Sequence, residues 1–545
     1  MDADAELLER INRLNRIGIA LSSYRDTPQL LETILDNARA LTGADGGTLY
    51  LVAHNQVSFE IVQTESLGIR LGGATGEPIT FAPLELEIDG EPNRSAVVTS
   101  CINDARTINI ADIRAETGYD FSGARKFDAQ TGYETRSLLA VPMRDHEGRV
   151  IGALQLINAL DAHGSVVAFS DESRQLLESL ASQAAVALTN KRLIDGLREL
   201  FESFVRLIAD AIDEKSPYTG AHCRRVPAIT LLLADAAHRD GQGDLADFRL
   251  DSTERYALEI AAWLHDCGKI TTPEHVMDKS TKLETIRDGV EMVATRFAVC
   301  QAELRARRDR LREEAERADD AGERQRVEAW YETERERLDG DLAFVRRVNA
   351  GSEFMREEDR ERVRDLARRT WTDADGREQP LLTESEVDNL CIERGTLNDE
   401  ERRIIENHAA VSIRMLEQLP FPRSLANVPE YAGGHHERVD GAGYPRGLTR
   451  EEMSVPARAM AIGDIFEALS AHDRPYKEPR PLSECLRIMG HMCEAGHIDP
   501  DLFRVFVDHG VYREYAERYL DPAQIDAIDI AAIPGYAPGE KVNPD

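Results

Sequence analysis

The sequence predicts a multidomain protein: an α+β domain with an antiparallel sheet and flanking helices, a long linker helix, and an all-α domain carrying a helical insertion. Three observations predict this. A chain of 545 residues is too long for one hydrophobic core. Strand and helix periodicities are mixed only up to about residue 190, and the rest reads helical. A block at 284–394, rich in Arg and Glu, interrupts the helical part with a composition unlike either flank.

Taken in order, residues 1–26 form an N-terminal helix. Its apolar residues Leu7, Ile11, Leu14 and Ile17 make a seam with no obvious partner in that segment, which a second copy could cover. From 27 to 190, the helix "QLLETILDNARALTG" stops at Gly43 and "GGTLYLV" follows as a strand. "RSLLAVPMRDHEGRVIGALQLIN" reads as two strands joined by a turn at Asp145 to Gly148. A connecting helix then spans 171–214. Leu193, Leu197, Leu200, Phe204 and Leu207 alternate spacings of four and three along it, the seam of a parallel dimer coil; the plainer alternative is a helix lying on its own domain.

Residues 215–520 form the helical domain, and 521–545 are a C-terminal tail. The insert at 284–394 reads as a charged antiparallel hairpin turning at Asp319 to Gly322, solvated and without chemistry of its own.

Composition excludes several classes. The formal charge of −33 repels phosphate backbones and argues against a polynucleotide partner, while leaving room for a small anion in a locally basic pocket. No run of 18 apolar residues occurs, so no membrane partner is expected, and the acidic start "MDADAELLER" lacks the marks of a secretory signal. Seven cysteines without a CxxC pair fit a reducing compartment. A cytoplasmic protein is expected.

The chemistry concentrates in a few stretches. "YAGGHHERVDGAGYPRGL" sets His435 beside His436. Neighbouring side chains on a helix diverge by about 100°, so this pair suits two centres lying side by side. "ALEIAAWLHDCGKI" is an amphipathic helix expected to end at Gly268, with His265 and Asp266 near its end and Lys269 just beyond. A carboxylate beside an imidazole can serve two cations if its oxygens bridge them. "YTGAHCRRV" adds His222, "ERRIIENHAAVSIRML" adds His408, and "AMAIGDIFEAL" adds Asp464. Five imidazoles and two carboxylates suit Fe or Mn, Zn or Ni less distinctively, and Mg or Ca least. His275, His472, His491, His497 and His509 have no such company and are read as ordinary surface or hydrogen-bonded histidines.

The order "HDCGK", lone helical His, "HHERVDGAGYP", downstream Asp and "DRPYK" resembles the HD-GYP phosphodiesterases, a branch of the HD metal-dependent phosphohydrolases, over about 200–510 apart from the insert. The resemblance implies a mostly helical domain that hydrolyses cyclic di-GMP to pGpG or GMP, or in some members cyclic GMP-AMP. It implies two divalent cations, Fe or Mn favoured, held by His222, His265, Asp266, His408, His435, His436 and Asp464, with Asp266 bridging. Members with a carboxylate four residues before the first histidine hold a third metal; here that residue is Tyr218.

Asp266 and Lys269 are the catalytic pair in this reading, Lys269 acting as a point charge toward the developing or leaving oxygen. Arg458, Arg474 and Lys477 are the implied substrate contacts. Asp440, Gly441, Gly443, Tyr444 and Pro445 form the turn, with both glycines supplying backbone angles closed to other residues, and Glu437 orients the site without ligating.

Residues 27–190 resemble a GAF domain on "SLLAVPMRDHEGRVIGALQLINA" and the following "FSDES". Asn158, Phe169, Asp171 and Glu172 fit the motif of its cyclic-nucleotide-binding members, while Ala159 replaces a lysine. That resemblance implies a sensory and dimerisation module with a small-molecule ligand, and a homodimer through it and the connecting helix. The alternatives are a catalytically weak cyclic-dinucleotide-binding protein that recruits a partner, a phosphodiesterase preferring cyclic GMP-AMP, and an HD nucleotidase acting on mononucleotides.

Overall fold

The computed structural model describes residues 16–18, 26–74, 76–215, 222–351, 354–471 and 479–538. They divide into two compact units, 1–201 and 202–545.

In the first unit, helix α1 (Thr27–Thr42) precedes β1 (Ala44–Ala53), β2 (Gln56–Thr64), β3 (Ile69–Gly72), β4 (Ile108–Ile110), β5 (Leu138–Arg144) and β6 (Val150–Leu160). The strands pair antiparallel in the order β3-β2-β1-β6-β5-β4. The expected α+β class, the helix stop at Gly43 and both quoted strand stretches are present. Alternation sorts the two faces. Leu49 and Leu51 of β1, with Leu154 and Leu156 of β6, pack under α1 and the start of α2 (Asp171–Lys215), where Leu177, Leu180 and Ala184 are buried with them. Tyr50, between them, faces the other side with Val57 and Ala153. On that side lies a cavity of about 590 Å³ lined by Tyr50, Phe59, Gln63, Phe81, Phe127 and Gln155 among others.

Of the N-terminal seam, only Ile17 lies within the described residues, and it is buried in the helix-side core rather than left for a second copy. Reading the first 26 residues in isolation concealed that cover.

α2 is one helix of 45 residues. Each of Leu193, Leu197, Leu200, Phe204 and Leu207 is more than half exposed, which is not the environment of a helix lying on its own domain.

The second unit runs α3 (His222–Asp240), α4 (Ser252–Leu264), α5 (Val290–Arg317), α6 (Ala321–Asn349), α7 (Asp399–Glu417), α8 (Val428–Gly433) and α9 (Val455–Ser470), then α10 (Leu482–Glu494), α11 (Pro500–Asp508) and α12 (Val511–Tyr519). Ile229 and Leu233 of α3, Ile462 and Phe466 of α9 and Phe503, Phe506 and Tyr515 beyond form its main core.

The insert departs from the solvated hairpin expected. α5 and α6 do form the antiparallel pair, turning at 318–320, with Arg307 over Trp330 and Arg308 over Tyr331 at 5.1 and 4.5 Å. Toward the base, however, Val293, Phe297, Phe344, Val345, Val363, Leu366, Leu381 and Leu390 make a separate core. The dense Arg and Glu pattern hides a short apolar stripe, Val290, Val293 and Phe297, at one end of α5 only. Both ends of the block are clasped there. Lys279 Nζ donates to Asn389 Oδ1 at 3.0 Å and to both oxygens of Glu401 at 2.8 Å, and Lys282 Nζ donates to the carbonyls of Leu390 and Ile392 at 3.0 and 2.8 Å. Among the described residues, no helix is long and apolar enough to cross a membrane.

Candidate metal centre

α4 ends at Leu264, earlier than the Gly268 expected, and the chain turns through a tight segment, Cys267–Thr271. His265 and Asp266 therefore sit at the turn itself. Gly268 is required by close approach rather than as a helix stop. Its N–H donates to Ser412 Oγ at 2.8 Å, and a Cβ there would collide with the His408 carbonyl and stand 2.7 Å from Ser412 N. Gly268→Ala is expected to push α7 and His408 away and to lower both melting temperature and metal affinity. Wild-type metal binding in that variant would contradict this packing.

The seven predicted ligands converge. His222 Nε2 and His265 Nε2 each lie 3.3 Å from Asp266 Oδ2 and 3.3 Å from one another. Asp266 Oδ1 faces the other way, 3.2 Å from His408 Nε2 and 3.8 Å from His435 Nε2. Asp464 spans the same divide: Oδ1 is 3.3 Å from His222 Nε2 and Oδ2 is 4.0 Å from His436 Nδ1. Two groups that could each hold a metal ion result, His222, His265 and Asp266 on one side and His408, His435 and His436 on the other. The tandem histidines thus join one group, not two centres. They follow α8 in a turn rather than riding on a helix, so their rings lie side by side with centroids 4.1 Å apart.

The outer nitrogens fix the inner ones. His265 Nδ1 donates to Ala262 O at 2.8 Å, His435 Nδ1 to Ala432 O at 2.6 Å and His408 Nδ1 to Ile405 O, each three residues back, so every Nε2 presents its lone pair inward. His222 Nδ1 donates instead to the buried Glu467, which also accepts from Arg225 Nε at 2.7 Å. Glu467 was missed in the sequence. Its signal is the D-x-x-E spacing from Asp464, which puts both carboxylates on one face of α9.

Burial lowers His435 well below the usual imidazole range and His436 to about 4, so both are neutral donors at neutral pH. Burial works against the Asp266 carboxylate, but Lys269 and His265 outweigh it and hold its pKa well below the ordinary value. Lys269 Nζ is 2.5 Å from Asp266 Oδ2. Burial opposes its charge too, yet Asp266 and Asp464 raise its pKa and keep it protonated.

A divalent cation fits this donor set. Asp266 Oδ1, His408 Nε2 and His435 Nε2 are buried with no hydrogen-bond partner, an arrangement that is costly unless a cation takes up those lone pairs. Neutral imidazoles and ionised carboxylates are also the borderline donors that Fe, Mn, Zn and Ni accept.

The turn behind His436 is held by Glu437, whose carboxylate accepts the N–H groups of Arg446 at 2.7 Å and Leu448 at 2.9 Å. Asp440 Oδ1 accepts from Ala442 N at 2.9 Å. Gly441 has φ +79°, as expected, but Gly443 does not lie in the left-handed region; it is needed because a Cβ would sit 2.6 Å from Glu437 Cα. Tyr444, joined to Pro445 by a cis bond, stacks on His436 with centroids 4.8 Å apart.

Arg458 is engaged by the buried Asp499, which also takes Arg450 Nε at 2.8 Å. Arg474 and Lys477 lie outside the described residues.

Fold and site together define an α+β domain followed by a helical domain that carries a candidate metal centre. Residues 26–188 match the family model of the GAF domain and residues 384–502 that of the HD domain, so the chain joins a GAF domain to an HD domain. The HD match covers His408, His435, His436 and Asp464; the other predicted ligands, His222, His265 and Asp266, precede both it and the insert.

Among curated proteins, 3'3'-cGAMP-specific phosphodiesterase 1 of Vibrio cholerae is 42% identical over 113 residues, 21% of this chain and 25% of that protein. A cyclic di-GMP phosphodiesterase of Pseudomonas aeruginosa is 38% identical over 142 residues, 26% of this chain and 33% of the other. One of Thermotoga maritima is 39% identical over 100 residues, 18% and 27% respectively. The matched segments span a quarter to a third of these relatives.

Proposed function

We propose that the chain is a metal-dependent phosphodiesterase that hydrolyses cyclic di-GMP to pGpG or GMP, with a catalytic domain over 215–520 regulated through a GAF domain over 27–190. The observation that carries this reading is the Asp266 carboxylate set between two histidine groups, the arrangement suited to two divalent cations, Fe or Mn favoured. Such a pair lowers the pKa of water and neutralises charge on a phosphodiester. The residues do the rest. His222, His265, His408, His435, His436 and Asp464 hold fixed donors around the site, and Asp266 joins its halves. Lys269 keeps a positive charge beside Asp266 for an oxygen that gains negative charge. Arg474 and Lys477 are the proposed phosphate or guanine contacts, and Arg458 joins them by exchanging Asp499 for substrate.

Turnover of a panel of cyclic dinucleotides by protein loaded separately with Fe and Mn tests the reading. Cyclic di-GMP cleaved with two cations per chain supports it; metal and nucleotide bound without product would replace it with a binding protein. The 42% identity with the cGAMP-specific enzyme favours a second reading, preference for cyclic GMP-AMP, which the same panel ranks.

The exposed stripe on α2 is proposed to pair with a second copy. Leu197→Glu with Phe204→Glu is expected to convert a dimer to a monomer in sedimentation or light scattering; an unchanged mass counts against the coil. The cavity of about 590 Å³, walled by five aromatic rings and the buried Gln63, is proposed to hold a small aromatic-bearing ligand of the GAF domain.

A further inference from the structure

The end of α2 grips both chain segments that supply the first ligand group. Lys215, its last residue, donates from Nζ to three carbonyls: Lys269 O at 3.0 Å, Ile270 O at 2.6 Å and Thr272 O at 2.6 Å. An ammonium has three N–H groups, and here each finds an acceptor. These carbonyls belong to the turn that follows Asp266. The Asp266 carbonyl accepts Lys269 N–H at 2.9 Å, and Lys269 Nζ in turn meets Asp266 Oδ2.

The same helix end reaches the other segment. Asp213 Oδ1 accepts Cys223 N–H at 3.4 Å, and Asp210 pairs with Arg224 at 2.8 Å; these partners directly follow His222. Three carbonyl dipoles aimed at one point repel unless a cation lies among them. Without it the turn opens and carries Asp266 with it, and a displacement of about 1 Å is enough to cost a site ~10²-fold in rate.

We infer that Lys215 is a positioning residue, which by gathering those three carbonyls sets the Asp266 carboxylate and with it the cation held by His222, His265 and Asp266. The inference rests on the proposed two-cation site. The second group keeps its three imidazoles, which come from beyond the insert, and loses only its share of Asp266 through Oδ1, so losing Lys215 falls more heavily on the first cation.

Manganese titration of the full chain, followed by equilibrium dialysis and electron paramagnetic resonance, tests this on wild type, Lys215→Met and Lys215→Arg. In Lys215→Met the manganese at His222, His265 and Asp266 is expected to weaken by roughly 10–100-fold, the size found for lost outer partners of metal ligands, and the other by clearly less. Turnover should return toward wild type as manganese is raised. Lys215→Arg keeps the charge but not a point donor, so it should weaken the same cation by less. Unchanged binding, or equal weakening of both cations, overturns the inference; if the Met variant fails to fold, the Arg variant decides by the same criterion. Unequal loss with no turnover of any cyclic dinucleotide by wild type would sink the proposed reaction and leave the role of Lys215 standing. Turnover with symmetrical loss would do the reverse.

Discussion

Asp266→Ala is expected to release both cations and to cut turnover by more than roughly 10²–10³-fold, at least the loss that follows removal of a single electrostatic stabiliser in an active site. The expectation comes from the two directions in which its oxygens point, Oδ2 toward His222 and His265, Oδ1 toward His408 and His435. Asp464 also spans the two groups, but it reaches three of the histidines, His222, His265 and His436. Asp266→Asn, which keeps the shape but not the charge, should lose most of the same activity. Metal analysis beside a turnover assay checks both variants, and two tightly held cations with substantial activity in Asp266→Ala would refute the bridging role.

Glu467→Ala is expected to act on stability and metal binding together. The carboxylate is almost wholly buried, and burial alone would raise its pKa; His222 and Arg225 pull it down instead, to about 2, so it is ionised throughout the neutral range. Its removal takes the partner from the Arg225 Nε and the anchor from His222 Nδ1. Breaking a buried charge pair from one side costs about 3–5 kcal/mol. Loss of the orienting hydrogen bond should weaken the cation at His222 by about 10–100-fold. Glu467→Gln, which retains acceptors, should recover much of the stability and less of the affinity. Denaturant unfolding of the metal-free protein separates the two effects; unfolding identical to wild type would mean that the pair contributes nothing to the fold.

The convergence of the candidate ligands was legible in the sequence because metal chemistry restricts residue type and because their spacing along the chain resembles a known family. The sheet was legible because Leu49, Tyr50 and Leu51 alternate faces, and the turn at Asp145 to Gly148 carries its own signal. What stayed hidden depended on partners distant in sequence. The sequence shows Arg458 without its partner, and the structure sets the buried Asp499 against it. Gly268 resembled a helix stop, whereas the reason for glycine is the backbone of α7 pressed against it. Lys215 is one cation among many until three carbonyls are seen to surround it. In the insert, charge frequency masked a handful of apolar residues that suffice for a core.

The clasp formed by Lys279 and Lys282 bears on how this long chain assembles its candidate metal centre. Gly268 and Ser412 touch although 144 positions separate them, a closure that looks entropically demanding. Yet that cost grows only logarithmically, by about 0.6 kcal/mol for each doubling of the intervening length. The intervening block also collapses on its own nucleus and returns its two ends to the same spot, so it behaves as a graft on a short connection. Excising it and bridging the scar with a few residues should therefore spare the surrounding helices, and the block is free to diverge in surface and purpose without disturbing the chemistry beneath it.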